Sequence, residues 1–250
     1  MKALILAAGK GSRLDMLPDG ENKCMIRVNG YPLLYYHLLR AVDLQVEQII
    51  IVIGHAGNLI RQHFGHCFQQ IPISYVWQKE LRGPVSAIDA AVNLLDDDFV
   101  LMLADEYFVQ SNHLQMYNMF RQTELFGLCG IIDGQMADSV QKTYAVMADN
   151  EGRVFQLIEK PDQPLTSAKG TGLCFFQKEI LRYIPNVSID NDKGEKEFPA
   201  LVQLAIDNGE VVHALSCCKH FYNLNNDEDC ELLRSIEQAE ISMPGVKQAG

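Results

Sequence analysis

Residues Gln48 to Ile53 read QIIIVI, with a polar residue only at the start. Successive side chains of a strand point to opposite faces, so a run of branched aliphatics this long needs apolar cover on both sides. Such strands occur where helices cover both faces of a sheet. Ala3 to Ala7 (ALILA) predicts a second buried strand of the same kind, and the intervening Tyr31 to Leu44 predicts a helix. Ile73 to Val76 and Phe99 to Leu103 predict two further strands. A short helix is expected after Asn58, and a longer one over Pro84 to Leu95 with proline in its first turn. Strands alternating with helices at this spacing imply right-handed βαβ units: an α/β, Rossmann-like fold with a mainly parallel, mixed sheet flanked by helices. Ligands of such sheets bind beyond the carboxyl ends of the strands, so the loops after Ala7 and Leu103 are where chemistry is expected.

The second half has a different rhythm. Gly127 to Ile132, Tyr144 to Met147, Val154 to Ile158 and Gly172 to Phe176 predict strands with few helices between them, as in a mixed or antiparallel sheet forming a small lobe. A helix over Glu197 to Asn208, a strand over Val211 to Leu215 and a last helix from Asp227 to Glu240 complete the pattern. The 250 residues fit one domain over 1–240, with halves at 1–125 and 126–240 and a frayed, flexible tail at 241–250.

Composition narrows the function classes. A formal charge of −11 argues against a general nucleic-acid binder, which needs a basic surface to neutralise phosphates. A nucleotide pocket needs only a few well-placed cations, so the charge does not exclude one. No apolar run reaches the roughly 18 residues of a membrane span, and Ala3 to Ala8 is too short for a signal sequence. A cytoplasmic protein without a membrane partner is expected. The seven cysteines lack CxxC spacing and predict reduced, mostly buried thiols rather than a zinc site or a disulfide framework.

Leu6-Ala7-Ala8-Gly9-Lys10-Gly11-Ser12-Arg13-Leu14 follows the first strand directly. Its glycines let backbone N–H groups approach phosphate oxygens, and Arg13 adds a fork of donors for the same anion. The string is neither a Walker loop nor a dinucleotide fingerprint. Four other stretches join it: Lys23, ten positions past Arg13; Gln78-Lys79-Glu80-Leu81-Arg82-Gly83 ahead of a helix; Leu101 to Asp105, a strand ending in a carboxylate; and Glu159-Lys160-Pro161.

In this order the stretches resemble the sugar-1-phosphate nucleotidylyltransferases, notably the thymidylyltransferase and uridylyltransferase branch. The resemblance covers roughly residues 2 to 235. It implies a nucleotide site formed by Leu6, Ala7, Ala8, Gly9, Gly11, Ser12, Arg13, Lys23, Gln78, Gly83 and Asp105, in which Arg13, Lys23 and Asp105 are catalytic. Gln78 and the Gly83 backbone would read a pyrimidine edge. Tyr144, Glu159, Lys160 and Gly172 would hold the acceptor. Mg2+ would sit on Asp105 and a second oxygen donor. Asn225 is favoured for that place through the Leu224-Asn225-Asn226 string, with Asn223 as the alternative. The implied reaction moves a nucleoside monophosphate from UTP or dTTP to a sugar 1-phosphate, releasing pyrophosphate.

Four positions depart from the family pattern. Asn22 replaces the usual proline or serine before the lysine, Ala104 replaces glycine before Asp105, Gly170 replaces an asparagine, and Ala145 replaces the glycine after Tyr144. The acceptor-side departures keep two alternatives in play: a cytidylyltransferase for phosphocholine or a phosphonate, and a nucleotide-sensing protein without catalysis. Homo-oligomerisation is compatible with the sequence.

Overall fold

The computed structural model describes residues 1–9, 22–80, 82–190, 194–224, 227–229 and 233. In chain order the strands are β1 (Lys2–Ala7), β2 (Arg27–Val28), β3 (Tyr31–Pro32), β4 (Gln48–Ile53), β5 (Cys67–Phe68), β6 (Ile71–Trp77) and β7 (Phe99–Leu103). They continue with β8 (Glu106–Ser111), β9 (Gly127–Ile132), β10 (Tyr144–Ala148), β11 (Val154–Glu159), β12 (Lys169–Phe176), β13 (Val212–Ser216) and β14 (Cys218–Asn223). The helices are α1 (Leu33–Asp43), α2 (Gly57–Phe64), α3 (Pro84–Ala90), α4 (His113–Gln122), α5 (Ala137–Val140) and α6 (Phe198–Asp207).

β1 lies between β4 and β7, parallel to both, and β6 extends the parallel set beyond β4. The sheet then changes character: β12 runs antiparallel to β7, β9 and β10, while β13 lies parallel to β9. One 10-stranded mixed sheet therefore carries both halves of the chain.

Strand alternation divides the core into two layers. Leu4, Ile50, Val52, Leu101 and Phe176 pack on one face with Val85 and Ile88 of α3 and Leu201 and Val202 of α6. Ala3, Ile5, Ile49, Ile51, Ile53, Met102 and Phe175 pack on the other, against Leu34 and Leu38 of α1 and Met116 and Phe120 of α4. Ile49 through Ile53 are all fully buried, as a strand sandwiched between helix layers requires. Each such side chain contributes about 1.5–3 kcal/mol through burial. Among the described residues no helix is long and apolar enough to cross a membrane.

Several boundaries differ from expectation. The helix expected from Tyr31 begins at Leu33, because Tyr31–Pro32 pairs instead with Arg27–Val28 in a small hairpin. Its turn residues, Asn29 and Gly30, both have positive φ (50° and 81°), the Asn-Gly hairpin turn whose twist suits antiparallel strands. The helix expected to reach Leu95 ends at Ala90 and gives way to a 3-10 turn over Val92–Leu94. α4 was not anticipated, nor was the antiparallel ribbon of β8 and β14. β12 begins at Lys169 rather than at Gly172, so Lys169, Gly170 and Thr171 belong to the strand as well. Residues 227–229 and 233 of the last expected helix are helical, and the expected tail lies outside the described residues.

Candidate active site

A cavity of about 580 Å3 opens at the carboxyl ends of β1 and β7, a size suited to a small-molecule ligand. Leu6, Ala7, Ala8 and Gly9 leave β1 along one wall, and Leu103, Ala104 and Asp105 leave β7 beside them. The close approach of these strand ends constrains the neighbouring turn: a Cβ on Gly54, just past β4, would stand 2.7 Å from the Ala8 carbonyl oxygen.

Lys23 rises into the cavity from a 3-10 turn over Lys23–Met25, and its Nζ donates to Asp105 Oδ2 in an ion pair. Both side chains are about 19% exposed, so the pair is accessible from the cavity. The lysine stem passes Gly9, where a Cβ would lie 3.7 Å from Lys23 Cε. Gly9, Lys23 and Asp105, distant in sequence, thus meet at one end of the cavity.

Gln78 and Gly83 form a second wall. Gln78 lines the cavity, is 8% exposed and donates from Nε2 to the Gly83 carbonyl at 3.3 Å, which orients the amide. Gly83 has φ +86°, and a Cβ there would come within 2.8 Å of the Lys196 carbonyl oxygen, so both conformation and space select glycine.

The opposite end carries Tyr144, Glu159 and Lys160. Tyr144 and Glu159 are cross-strand partners of β10 and β11. The Tyr144 hydroxyl donates to the Thr171 carbonyl at 2.6 Å, so the tyrosine offers its ring rather than its hydroxyl. Lys160 adopts a left-handed backbone, φ 41°, and its N–H donates to the Thr143 carbonyl at 2.6 Å. That conformation is uncommon for a residue with a side chain. Lys160 Nζ stands 3.4 Å from Glu159 Oε1, setting a cation beside a carboxylate.

Gly172 does not reach the cavity surface. Its N–H is taken by the Glu106 carboxylate, 2.9 and 2.8 Å from the two oxygens, and a Cβ on it would meet Leu103 Cγ at 2.2 Å. The cavity wall at that point is Glu106 instead, a residue the sequence reading passed over although it directly follows Asp105. Glu106 is 2% exposed, and its carboxyl is held well above the usual carboxylate range by burial and then by Asp105, with the Gly172 N–H acting in the opposite sense. Asn22, Lys142, Thr143, Glu195 and Glu197 also line the cavity without having been expected there.

Asn223, the alternative to Asn225, faces the cavity from the end of β14, where it pairs in register with Glu106. The Leu224 N–H donates to the Asp105 carbonyl at 2.9 Å, which ties the end of this ribbon to the Asp105 backbone. Asn223 Oδ1 is buried and has no hydrogen-bond partner among the described residues. Gly11, Ser12, Arg13 and Asn225 lie outside the described residues.

A family model described as nucleotidyl transferase matches residues 2–219. The chain belongs to the nucleotidyl transferase family. It is therefore an enzyme of the nucleotidyltransferase class. UTP–glucose-1-phosphate uridylyltransferase AglF of Haloferax volcanii is 31% identical over 216 residues, covering 86% of this chain and 87% of that protein. The bifunctional protein GlmU of Methanocaldococcus jannaschii is 26% identical over 218 residues, 84% of this chain but 48% of GlmU, so the chain spans about half of that relative. Among solved structures, UDP-glucose pyrophosphorylase in complex with UDP-glucose superposes with a TM-score of 0.86 at 19% identity, covering 96% of this chain and 98% of that one. The structural likeness supports the Rossmann-like architecture of this nucleotidyltransferase.

Proposed function

We propose that the enzyme transfers a nucleoside monophosphate from UTP or dTTP to a sugar 1-phosphate, forming a nucleoside diphosphate sugar and pyrophosphate. The observation that carries this reading is the single cavity that joins Gly9, Lys23 and Asp105 to Gln78 and Gly83 on one side and to Glu159 and Lys160 on the other. A phosphate oxygen of the acceptor attacks the α-phosphorus in line; the new oxygen–phosphorus bond forms as the bond to the pyrophosphate oxygen breaks. The attacking phosphate is already ionised near neutral pH, so no general base is needed. Catalysis then rests on bringing two anions together and neutralising their charge.

Lys23 supplies positive charge beside the Ala7–Gly9 backbone, and the same task is proposed for Arg13, which lies outside the described residues. Asp105 and Asn223 fit a hard cation, because both line the cavity, one as a carboxylate and one as an amide oxygen, and such ions take oxygen ligands while keeping several waters. Mg2+ held there supplies Lewis-acid stabilisation of phosphoryl charge. Asn225, favoured from the sequence for the same place, lies outside the described residues and stays a candidate second ligand.

The oriented Gln78 amide suits the alternating donors and acceptors of a pyrimidine edge, so UTP, dTTP or CTP is expected to outcompete ATP and GTP. Pyrophosphate release with mixed triphosphates checks this, and preferential use of a purine donor would contradict it.

At the acceptor end, Glu159 suits sugar hydroxyls and Lys160 the sugar phosphate. A choline headgroup would call for aromatic faces around the ammonium. Phe175 and Phe176 do not provide them, because alternation sends them into opposite core layers where both are fully buried, which leaves only Tyr144 and Phe198 as aromatic residues among the described cavity lining. Glu159→Gln is expected to raise the acceptor KM and leave the nucleotide KM nearly unchanged. Turnover measured across sugar phosphates, phosphocholine and phosphonates tests the assignment. Activity confined to choline-like acceptors would refute the sugar reading, and no pyrophosphate release with any pair would favour a nucleotide sensor.

A further inference from the structure

We propose that Asn22 is a positioning residue that sets Lys23 in its reactive place, an inference that rests on the role given to Lys23 above. Asn22 is 1% exposed, yet it borders the cavity. Its Nδ2 donates to the carbonyls of Ala7 at 3.0 Å and His55 at 2.9 Å, with a longer contact to Gly9 at 3.3 Å. Its Oδ1 accepts the Cys24 N–H at 3.0 Å. The amide's two N–H groups are thereby committed within the protein, so Asn22 serves position rather than ligand recognition.

The partners explain what is positioned. Ala7 ends β1, Gly9 lies in the loop beyond it, and His55 follows the end of β4. One side chain therefore fastens two adjacent parallel strand ends to the turn that carries Lys23. The turn is closed by Met25 N–H to Asn22 O at 2.8 Å and Ile26 N–H to Lys23 O at 3.1 Å, and Cys24 plugs it into the core with no exposed surface. With its backbone pinned on both sides, Lys23 reaches Asp105 from a fixed origin. Asparagine is suited to the place because it donates and accepts at once. Aspartate has the same shape and caps a turn equally well, but it would turn an oxygen toward the carbonyls of Ala7, Gly9 and His55.

The test is a double-mutant cycle. Asn22→Ala and Asn22→Asp are made alone and with Lys23→Ala, and kcat, both KM values and the thermal midpoint are measured. Each single Asn22 variant is expected to lose about 10- to 100-fold in kcat, the scale of a misplaced reactive group, with the acceptor KM nearly unchanged. Once Lys23 is alanine, the same substitution is expected to cost less than about threefold, because coupled residues are not additive. Wild-type turnover in Asn22→Asp, or a loss that multiplies in full with that of Lys23→Ala, would overturn the inference. Wild-type turnover in Lys23→Ala itself would instead overturn the underlying reading of Lys23. Should the alanine or aspartate variant not fold, Asn22→Ser carries the cycle: it retains a capping oxygen, and a smaller loss coupled to Lys23 in the same way is expected. An uncoupled loss, or none, in Asn22→Ser refutes the inference.

Discussion

Asp105→Ala and Lys23→Ala are each expected to leave the protein folded and to lower kcat by at least about two orders of magnitude, the scale of losing one preorganised electrostatic stabiliser. Neither side chain belongs to the core layers. They meet at one end of the cavity as an ion pair open to it, so the partner left behind in either variant can be solvated from the cavity. A small change in thermal midpoint with a large change in turnover is therefore the expected signature. The two variants should differ in their metal response. Asp105→Ala removes a proposed cation ligand and should need more Mg2+ for half-maximal rate, whereas Lys23→Ala should not. Unchanged kinetics in a folded Asp105→Ala protein would remove the assignment of this carboxylate.

The largest effect on stability is expected from Gly170→Ala. A Cβ at this position would lie 2.0 Å from Tyr144 Cε2 and 2.1 Å from Cζ, far inside contact distance. Both residues are buried, and the tyrosine hydroxyl is anchored on the Thr171 carbonyl, so the ring cannot yield without breaking that bond. Overpacking of this kind, with loss of the hydrogen bond, is expected to cost about 3 kcal/mol. Urea unfolding gives the measurement. Gly170→Ala combined with Tyr144→Ala should be less destabilised than the sum of the single variants, by about 1 kcal/mol or more. An unfolding midpoint like wild type for Gly170→Ala would show that the strand tolerates the added carbon.

The same contact bears on a departure from the family pattern. In this chain the Tyr144 ring fills the space that a side chain at position 170 would need. This could not be foreseen from the sequence, since the clash arises between β10 and β12 and depends on their register.

Local pattern determined a great deal. Gln48–Ile53 could be buried on both faces only in a sheet covered by helices, and that fixed the parallel half and the end of the sheet at which ligands bind. That Gly9, Lys23, Gln78, Gly83, Asp105, Glu159 and Lys160 would gather on one cavity was legible because each lies at a strand end or in a short motif. The withdrawal of Gly172 behind Glu106, the ribbon that brings Asn223 to Asp105, and the bonds that make Asn22 a fastening were decided by tertiary structure. Each depends on groups far apart in the chain, such as Glu106 with Gly172 and Asn22 with His55. Periodicity and spacing report which face or end a residue occupies, but not which distant partner packing and strand register will set against it.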